Sequence, residues 1–331
     1  MKPPDVGDRA LDSGRQSASP RHSSLTTYHS PPALITHHSS LITFRVPTDW
    51  QDYALLDSGE GAKLERFGAY TLVRPEAQAI WRRRLPVARW EAADAIFEKG
   101  AGESGAWIKR RPMPDRWPMH YHGLTFWARL TGFRHTGVFP EQAVHWRWIG
   151  DLVERAGRPI KLLDLFAYTA LTTLFAARAG AQVTYVDASR PAMGWARENQ
   201  ELAGLTDRPI RWILDDAIKF VRREARRGVR YDALVMDPPV FGRGPKGEIW
   251  RFYESVPVLL DACRQVFSDR PLFVLINAYA IEGSSVMLAN LLDDLMDGRG
   301  GSIEAGELGL RQQDSERILP AGMYARWTSD E

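Results

Sequence analysis

Between residues 159 and 296 short apolar runs alternate with longer amphipathic ones. The runs at 161–166, 182–187, 210–214, 231–236 and 272–276 are of strand length and rich in apolar residues. The stretches between and after them carry apolar positions at helical spacing, which predicts helices at 170–178, 190–203, 217–227, 255–267 and 284–296. Alternating strands and helices with buried apolar strands imply a parallel sheet covered on both faces. Thr169 and Ser189 stand where helix caps belong, and Gly180 and Gly204 where helices stop. Two extended runs, 302–311 and 316–328, flank a polar turn and predict an antiparallel hairpin on the sheet edge.

The front of the chain has a different rhythm. Residues 46–135 are rich in aromatic and β-forming residues with Gly and Pro between them. The runs 64–73, 105–109 and 124–130 read as strands, with one helical insert near 89–97. A connector at 132–139 leads to a helix at 141–156, which Pro140 can start and Gly157 can stop. Residues 1–45 are rich in Ser, His, Pro and Thr and cannot bury a core, so order is expected to begin near Val46. The chain therefore divides into a disordered tail (1–45), a small β-rich domain (46–135) and an α/β domain (136–331).

Composition narrows the function classes. With 331 residues, 44% of them hydrophobic, the chain can bury one large core or two smaller ones. Net charge is only +2, which argues neither for nor against a polyanion. A basic run, Arg222 to Arg230, reads either as a helix end favoured by the dipole or as an RNA-facing patch. The single cysteine, Cys263, excludes an internal disulfide framework and any multi-cysteine metal site. Four of the histidines lie in the tail (His22, His29, His37, His38) without a carboxylate or thiol scaffold, so no metal is expected. No apolar stretch has the length of a membrane span, and no signal-peptide pattern opens the chain. A cytoplasmic protein is the expectation, with no membrane contact and no signal of oligomeric state.

The candidate chemistry sits at the ends of the apolar runs. Asp164 lies in the first, Asp187 ends the second, Asp215-Asp216-Ala217 follows the third, and Asp237-Pro238-Pro239 follows the fourth. Acids at strand ends in a strand–helix repeat mark a nucleotide-type cofactor crevice. The loop Phe166-Ala167-Tyr168-Thr169-Ala170 opens a helix whose amides can hold an anion. It has no glycine, which argues against the Gly-x-Gly-x-x-Gly loop of dinucleotide enzymes. Asp187 is placed for a pair of ribose hydroxyls, as a helix cap would fall better to Ser189. Asp216 is assigned to an adenine amino group beside the backbone of Ala217, although an aspartate there can also cap the next helix. Two prolines after Asp237 stiffen the loop and remove two donors, leaving carbonyls free to orient a substrate amine. Phe241 can stack on a planar base.

From Phe126 to Trp327 the chain resembles class I S-adenosylmethionine-dependent methyltransferases related to 23S ribosomal RNA cytosine-5 and guanine-N7 enzymes. The resemblance rests on the run Arg134 to Gln142 with its Thr136-Gly137, Leu165 to Thr169, Val186 to Ser189, Trp195 to Asn199, Asp216-Ala217 and Asp237 to Gly244. These occur in family order. The resemblance implies a Rossmann-like α/β sheet preceded by a small β-rich domain. It implies S-adenosylmethionine in the crevice, held by Gln142, Asp164, Phe166, Tyr168, Thr169 and Ala170 on one side. Asp187, Ala188, Asp216, Ala217 and Asp237 complete the cofactor set, and Asp237, Pro238 and Phe241 are the candidate catalytic residues. RNA is the implied substrate.

Three departures touch the site. Ala170 replaces the family glycine, Val240 stands where a lysine is frequent, and Asn277-Ala278-Tyr279 replaces the cysteine loop of the cytosine-5 enzymes. Cytosine C5 needs a thiolate to activate it, and Cys263 falls mid-helix. Direct transfer to a base nitrogen is therefore expected, and no histidine stands in the expected loops after residue 145 to act as a base. A methyltransferase of small molecules or protein residues, or a cofactor-binding protein without activity, would carry the same motifs.

Overall fold

The computed structural model describes residues 43–100, 105–132 and 134–330. A short strand, β1 (Thr43–Arg45), precedes three antiparallel strands, β2 (Tyr53–Gly59), β3 (Ala62–Phe67) and β4 (Tyr70–Pro75). Helix α1 (Val87–Glu91) crosses to β5 (Ala95–Lys99), which pairs with β4 and with β6 (Gly105–Lys109). A separate hairpin, β7 (Arg116–Tyr121) and β8 (Leu124–Arg129), follows. The run 64–73 is thus two strands rather than one, because Gly68 takes a left-handed corner (φ 60°) between them. The expected helix at 89–97 ends at Glu91. Beyond it Ala95 and Phe97 alternate onto a buried face, and Asp94 fixes the turn by accepting from the amide and hydroxyl of Thr71 at 2.7 and 2.9 Å.

The second half follows the expected order. It runs α2 (Ala143–Arg155), β9 (Lys161–Leu165), α3 (Leu171–Arg178), β10 (Gln182–Asp187), α4 (Arg190–Leu202), β11 (Ile210–Leu214), α5 (Ala217–Arg226) and β12 (Ala233–Met236). A hairpin that the sequence reading did not anticipate, β13 (Phe241–Arg243) and β14 (Ile249–Arg251), precedes α6 (Phe252–Arg264). Then come β15 (Phe273–Ala278), α7 (Ser285–Met296), β16 (Ser302–Arg311) and β17 (Ile318–Thr328). The sheet order is β1-β16-β17-β15-β12-β9-β10-β11, with β15 to β11 parallel and β17 antiparallel to β15. Strand succession reverses between β9 and β12, which makes the carboxyl ends of those two strands the place for a ligand.

Alternation explains why the central strands are apolar on both faces. Val274 and Ile276 of β15 face α5, α6 and α7, while Phe273 and Leu275 face α2 and α3. A third cluster joins Trp146, Leu171 and Phe175 of α2 and α3 to Phe67, Trp117 and Phe126 of the front strands. Ser189 caps α4 as expected, accepting from the Ala192 amide at 3.3 Å. Thr169 does not cap α3. The N-cap position belongs to Ala170, and the Thr169 hydroxyl donates to the Gly137 carbonyl at 2.7 Å.

Order also reaches further forward than Val46. Thr43–Arg45 pairs in parallel with β16, and Arg45 donates to Glu304 at 2.9 and 3.0 Å. The Thr43 carbonyl lies 1.8 Å from where a Cβ at position 306 would stand, so this edge pairing needs Gly306. The rest of the expected tail, 1–42, lies outside the described residues. Among the described residues no helix is long and apolar enough to cross a membrane.

Candidate active site

At the switch point the loops after β9, β10, β11 and β12 surround a cavity of about 460 Å³. Phe166, Tyr168, Asp187, Ala188, Asp216, Ala217, Asp237 and Pro238 all border it. A narrower pocket behind it is bordered by Gln142, Asp164, Thr169 and again Phe166, Tyr168 and Asp237. The structure therefore brings together nearly all the residues singled out from sequence. Two stand apart. Ala170 is fully buried with its methyl in the front core, and Phe241 is 55% exposed on β13; neither borders these cavities.

The loop after β9 is held in an unusual shape. Phe166, Tyr168 and Ala170 have φ of 58°, 48° and 68°, a left-handed region that costs a side-chain-bearing residue on the order of 1 kcal/mol or more. Neighbouring groups fix it. The Tyr168 amide donates to Asp187 at 2.9 Å, Tyr185 donates to the Tyr168 carbonyl at 2.6 Å, and Asn199 donates to the Thr169 carbonyl at 3.0 Å. The carbonyl of Gly137 holds Thr169, and a side chain at 137 would run into Trp195, whose ring lies 2.1 Å from the Cβ position. Asp187 thus positions the loop as well as facing the cavity: one oxygen takes the Tyr168 amide and the other the Ser189 amide at 2.7 Å.

Two buried carboxylates sit at the floor. Asp164 accepts from the Thr173 hydroxyl at 2.6 Å, and Asp237 accepts from Gln142 Nε2 at 2.6 Å. Asn277 donates in turn to Gln142 at 3.4 Å, so the residue in place of the cysteine loop braces Gln142 against Asp237. Neither carboxylate has a basic partner among the described residues. Burial pushes Asp237 up to about 7, with Glu141 adding to the shift and the Gln142 bond opposing it. Burial also pushes Asp164 up to about 7, with the charges of Asp237 and Asp187 adding and the Thr173 bond opposing. On the opposite rim Asp215 is occupied by Arg223 at 2.7 Å. Asp216 caps α5 through Oδ1, accepting from the Lys219 amide at 2.9 Å, and Oδ2 accepts no hydrogen bond among the described residues.

Several wall residues escaped the sequence reading. Arg134, His135, Phe139, Trp250 and Tyr279 border the main cavity. The signal for the first three was their place in the motif run before α2. Trp250 was hidden because the β13–β14 hairpin was not anticipated. His135, which precedes the loops expected to be free of histidine, also borders the cavity. Burial lowers this histidine to about 4, with Arg74, Arg134 and Lys63 nearby adding to the effect, so it is neutral at pH 7. Cys263 is fully buried within the α6 side of the core, where burial pushes its thiol up, and it does not border the cavity. The basic run begins inside α5, where Arg223 pairs with Asp215 at the cavity rim, and continues past the helix end toward the start of β12 at the other end of the sheet, with Arg227 paired to Glu224.

Residues 98–281 match the profile of the family described as S-adenosylmethionine-dependent methyltransferase. The chain belongs to that family. A crystal structure of the S-adenosylmethionine-dependent methyltransferase from Agrobacterium tumefaciens is 45% identical, with a TM-score of 0.84 over 88% of this chain and 94% of that one. Ribosomal RNA large subunit methyltransferase K of Neisseria meningitidis is 27% identical over 57% of this chain and 54% of its own length. Ribosomal RNA large subunit methyltransferase I of Klebsiella pneumoniae is 30% identical over 63% of this chain and 52% of its own. The chain thus spans about half the length of these two curated relatives.

The residues present fit the family's cofactor, which carries two cationic groups and a nucleoside. Two buried carboxylates lack a cation of their own, which is unfavourable unless a ligand brings one. Asp187 and the open oxygen of Asp216 stand on the other rim, where acceptors for hydroxyls and an exocyclic amine are needed. Val186, Ala188, Ala217 and Phe166 supply apolar walls for a planar ring.

Proposed function

We propose that this methyltransferase acts on RNA, at a base nitrogen, without a thiol nucleophile. The observation that carries the reading is Asp237. Its carboxylate borders both the main cavity and the narrow pocket, and it leads directly into the stiff Pro238-Pro239 loop. Bound S-adenosylmethionine would supply an electrophilic methyl group on a sulfonium. Asp164 and Asp237 would hold the cationic end, Asp187 the ribose and Asp216 the adenine. Asp237 and the Pro238 carbonyl would then orient the acceptor amine, and alignment is the main demand on the protein in a direct displacement. His135 is too weakly basic to draw a proton readily, which suits an acceptor with a free lone pair. RNA as the substrate is supported by the names of the ribosomal RNA relatives. The buried Cys263 supports the thiol-free route.

One observation favours a second reading, a small-molecule acceptor. A neighbouring cavity of about 550 Å³ shares Arg134, His135, Phe139 and Tyr279 with the main one and is bordered by Lys63 and Arg74 of the front strands. The two readings separate in one experiment. Labelled cofactor is offered with total RNA, total protein and a small-molecule extract as separate fractions. Label in RNA, unchanged by Cys263→Ala, supports the proposal. Label confined to the small-molecule fraction supports the second reading, and loss of activity in Cys263→Ala overturns the thiol-free route.

A further inference from the structure

The β13–β14 hairpin has two unlike faces. Its inner face carries Gly242 and Trp250. Trp250 is 4% exposed, stacks edge-on against Phe166 at 4.7 Å and donates to the Pro239 carbonyl at 2.7 Å. The outer face carries Phe241 opposite Arg251 and Arg243 opposite Ile249. Phe241 and Ile249 are 55% and 58% exposed, and they lie diagonally across the ladder with the two arginines on the other diagonal. Val240 and Tyr253, at the ends of the hairpin, are exposed as well. A monomer gains nothing from such a group of exposed apolar side chains unless something covers it.

Charge says what covers it. Arg243 and Lys246 have no acidic partner among the described residues. Arg251 has only Glu254, 3.4 Å away and itself exposed. The remaining acid, Glu248, is taken by Lys219 and by the Lys246 amide. The face therefore offers one aromatic ring and an aliphatic side chain between guanidinium groups. Successive bases stack on such side chains while the cations meet the backbone phosphates. Double-stranded RNA hides its base faces and would use only the charges. Position adds to the argument, because Arg243 and Val240 also border the main cavity.

We propose that the outer face of this hairpin is a platform for single-stranded RNA, holding nucleotides that flank the base presented to Asp237. The proposal rests on the RNA reading above. Phe241, singled out from sequence as a stacking residue, thus acts outside the cavity.

Fluorescence anisotropy tests it, using the full chain with a short mixed-sequence single-stranded RNA and the matching duplex. Phe241→Ala should weaken single-strand binding about tenfold. Arg251→Ala should reduce the slope of log affinity against log salt by about one contact. Both residues are exposed, so the melting temperature should hold, and cofactor affinity by calorimetry should stay at the wild-type value. Unchanged RNA affinity in both variants, a wild-type preference for duplex, or a dimer that Phe241→Ala dissolves would each overturn the platform. If the wild type binds and methylates no RNA, the substrate reading falls and takes the platform with it. If the wild type methylates RNA and the variants bind it equally well, only the platform falls.

Discussion

Glu65 and Asp237 are both buried carboxylates, and the protein treats them in opposite ways. Glu65, in the front strands, accepts from Arg74 twice at 2.7 Å and from Tyr53 at 2.9 Å, and Arg74 and Lys63 hold it below the usual carboxylate range against the effect of burial. Arg74 also donates to the Arg134 carbonyl at 3.3 Å, tying this pair to the wall of the site. Asp237, and Asp164 beside it, are held by the neutral residues Gln142 and Thr173 and meet no cation among the described residues. The backbone follows the same division. Front corners pair one side-chain-bearing residue at positive φ with a glycine, Glu60 with Gly61 and His122 with Gly123, or use glycine alone, as at Gly68, whereas the loop after β9 crowds Phe166, Tyr168 and Ala170 into that region with no glycine. A carboxylate that is fully paired supports structure. One left buried and unpaired beside a strained loop is arranged for a ligand.

The largest effect should come from breaking the satisfied pair. Arg74→Ala leaves Glu65 buried without its cation, and urea unfolding should show a loss of about 3–5 kcal/mol. Replacing both members by apolar residues of similar size should cost much less. If Arg74→Ala is nearly neutral, the Glu65–Arg74 pair does not hold the front strands together.

Removing the unpaired carboxylate should act on chemistry instead. Asp237→Ala should lower turnover roughly 100-fold, the scale expected for reacting groups misplaced by about 1 Å. Stability should not fall as in Arg74→Ala, because no buried cation is orphaned. A variant that turns over normally would remove Asp237 from the site.

The smallest change sharpens the backbone half of the contrast. Ala170→Gly relieves a left-handed residue whose methyl faces the core, and should stabilise the fold by about 1 kcal/mol. Cofactor affinity should hold, since Ala170 does not border the cavity. Destabilisation would mean that its packing outweighs the strain.

Much of this was legible in the chain. Ser189 and Gly204 bracket α4 in sequence as they do in space, and Asp187 and Asp237 fall where strand periodicity ends. The less legible parts depend on contacts distant in sequence. Thr43–Arg45 is too short to show a strand, and becomes one only because Gly306, more than two hundred residues on, admits its backbone. Thr169 looks like a cap until Gly137 is seen to accept its hydroxyl. The left-handed backbone at Ala170 is invisible in a residue that favours right-handed helix, although the family glycine at that place hinted at it. Gln142 was found by motif, but its bond to Asp237 needed the fold.

The most direct test is cofactor affinity against pH. Asp164 and Asp237 sit near 7 in the free protein, so below that pH a carboxyl must release its proton before it can face a cation. The sign for the free protein is the reverse. The folded state holds protons that the unfolded chain gives up, so these two groups make the fold less stable as pH rises from about 4 through 7. Calorimetry with S-adenosylmethionine between pH 6 and pH 8, in buffers of different ionisation enthalpy, should show affinity rising about tenfold for one titrating carboxyl, with protons released on binding at the acid end. The dependence should weaken in Asp164→Asn, which should also raise the melting temperature of the free protein at pH 8. Flat affinity and no proton release in the wild type would contradict the assignment of these carboxylates to the cofactor's cationic end.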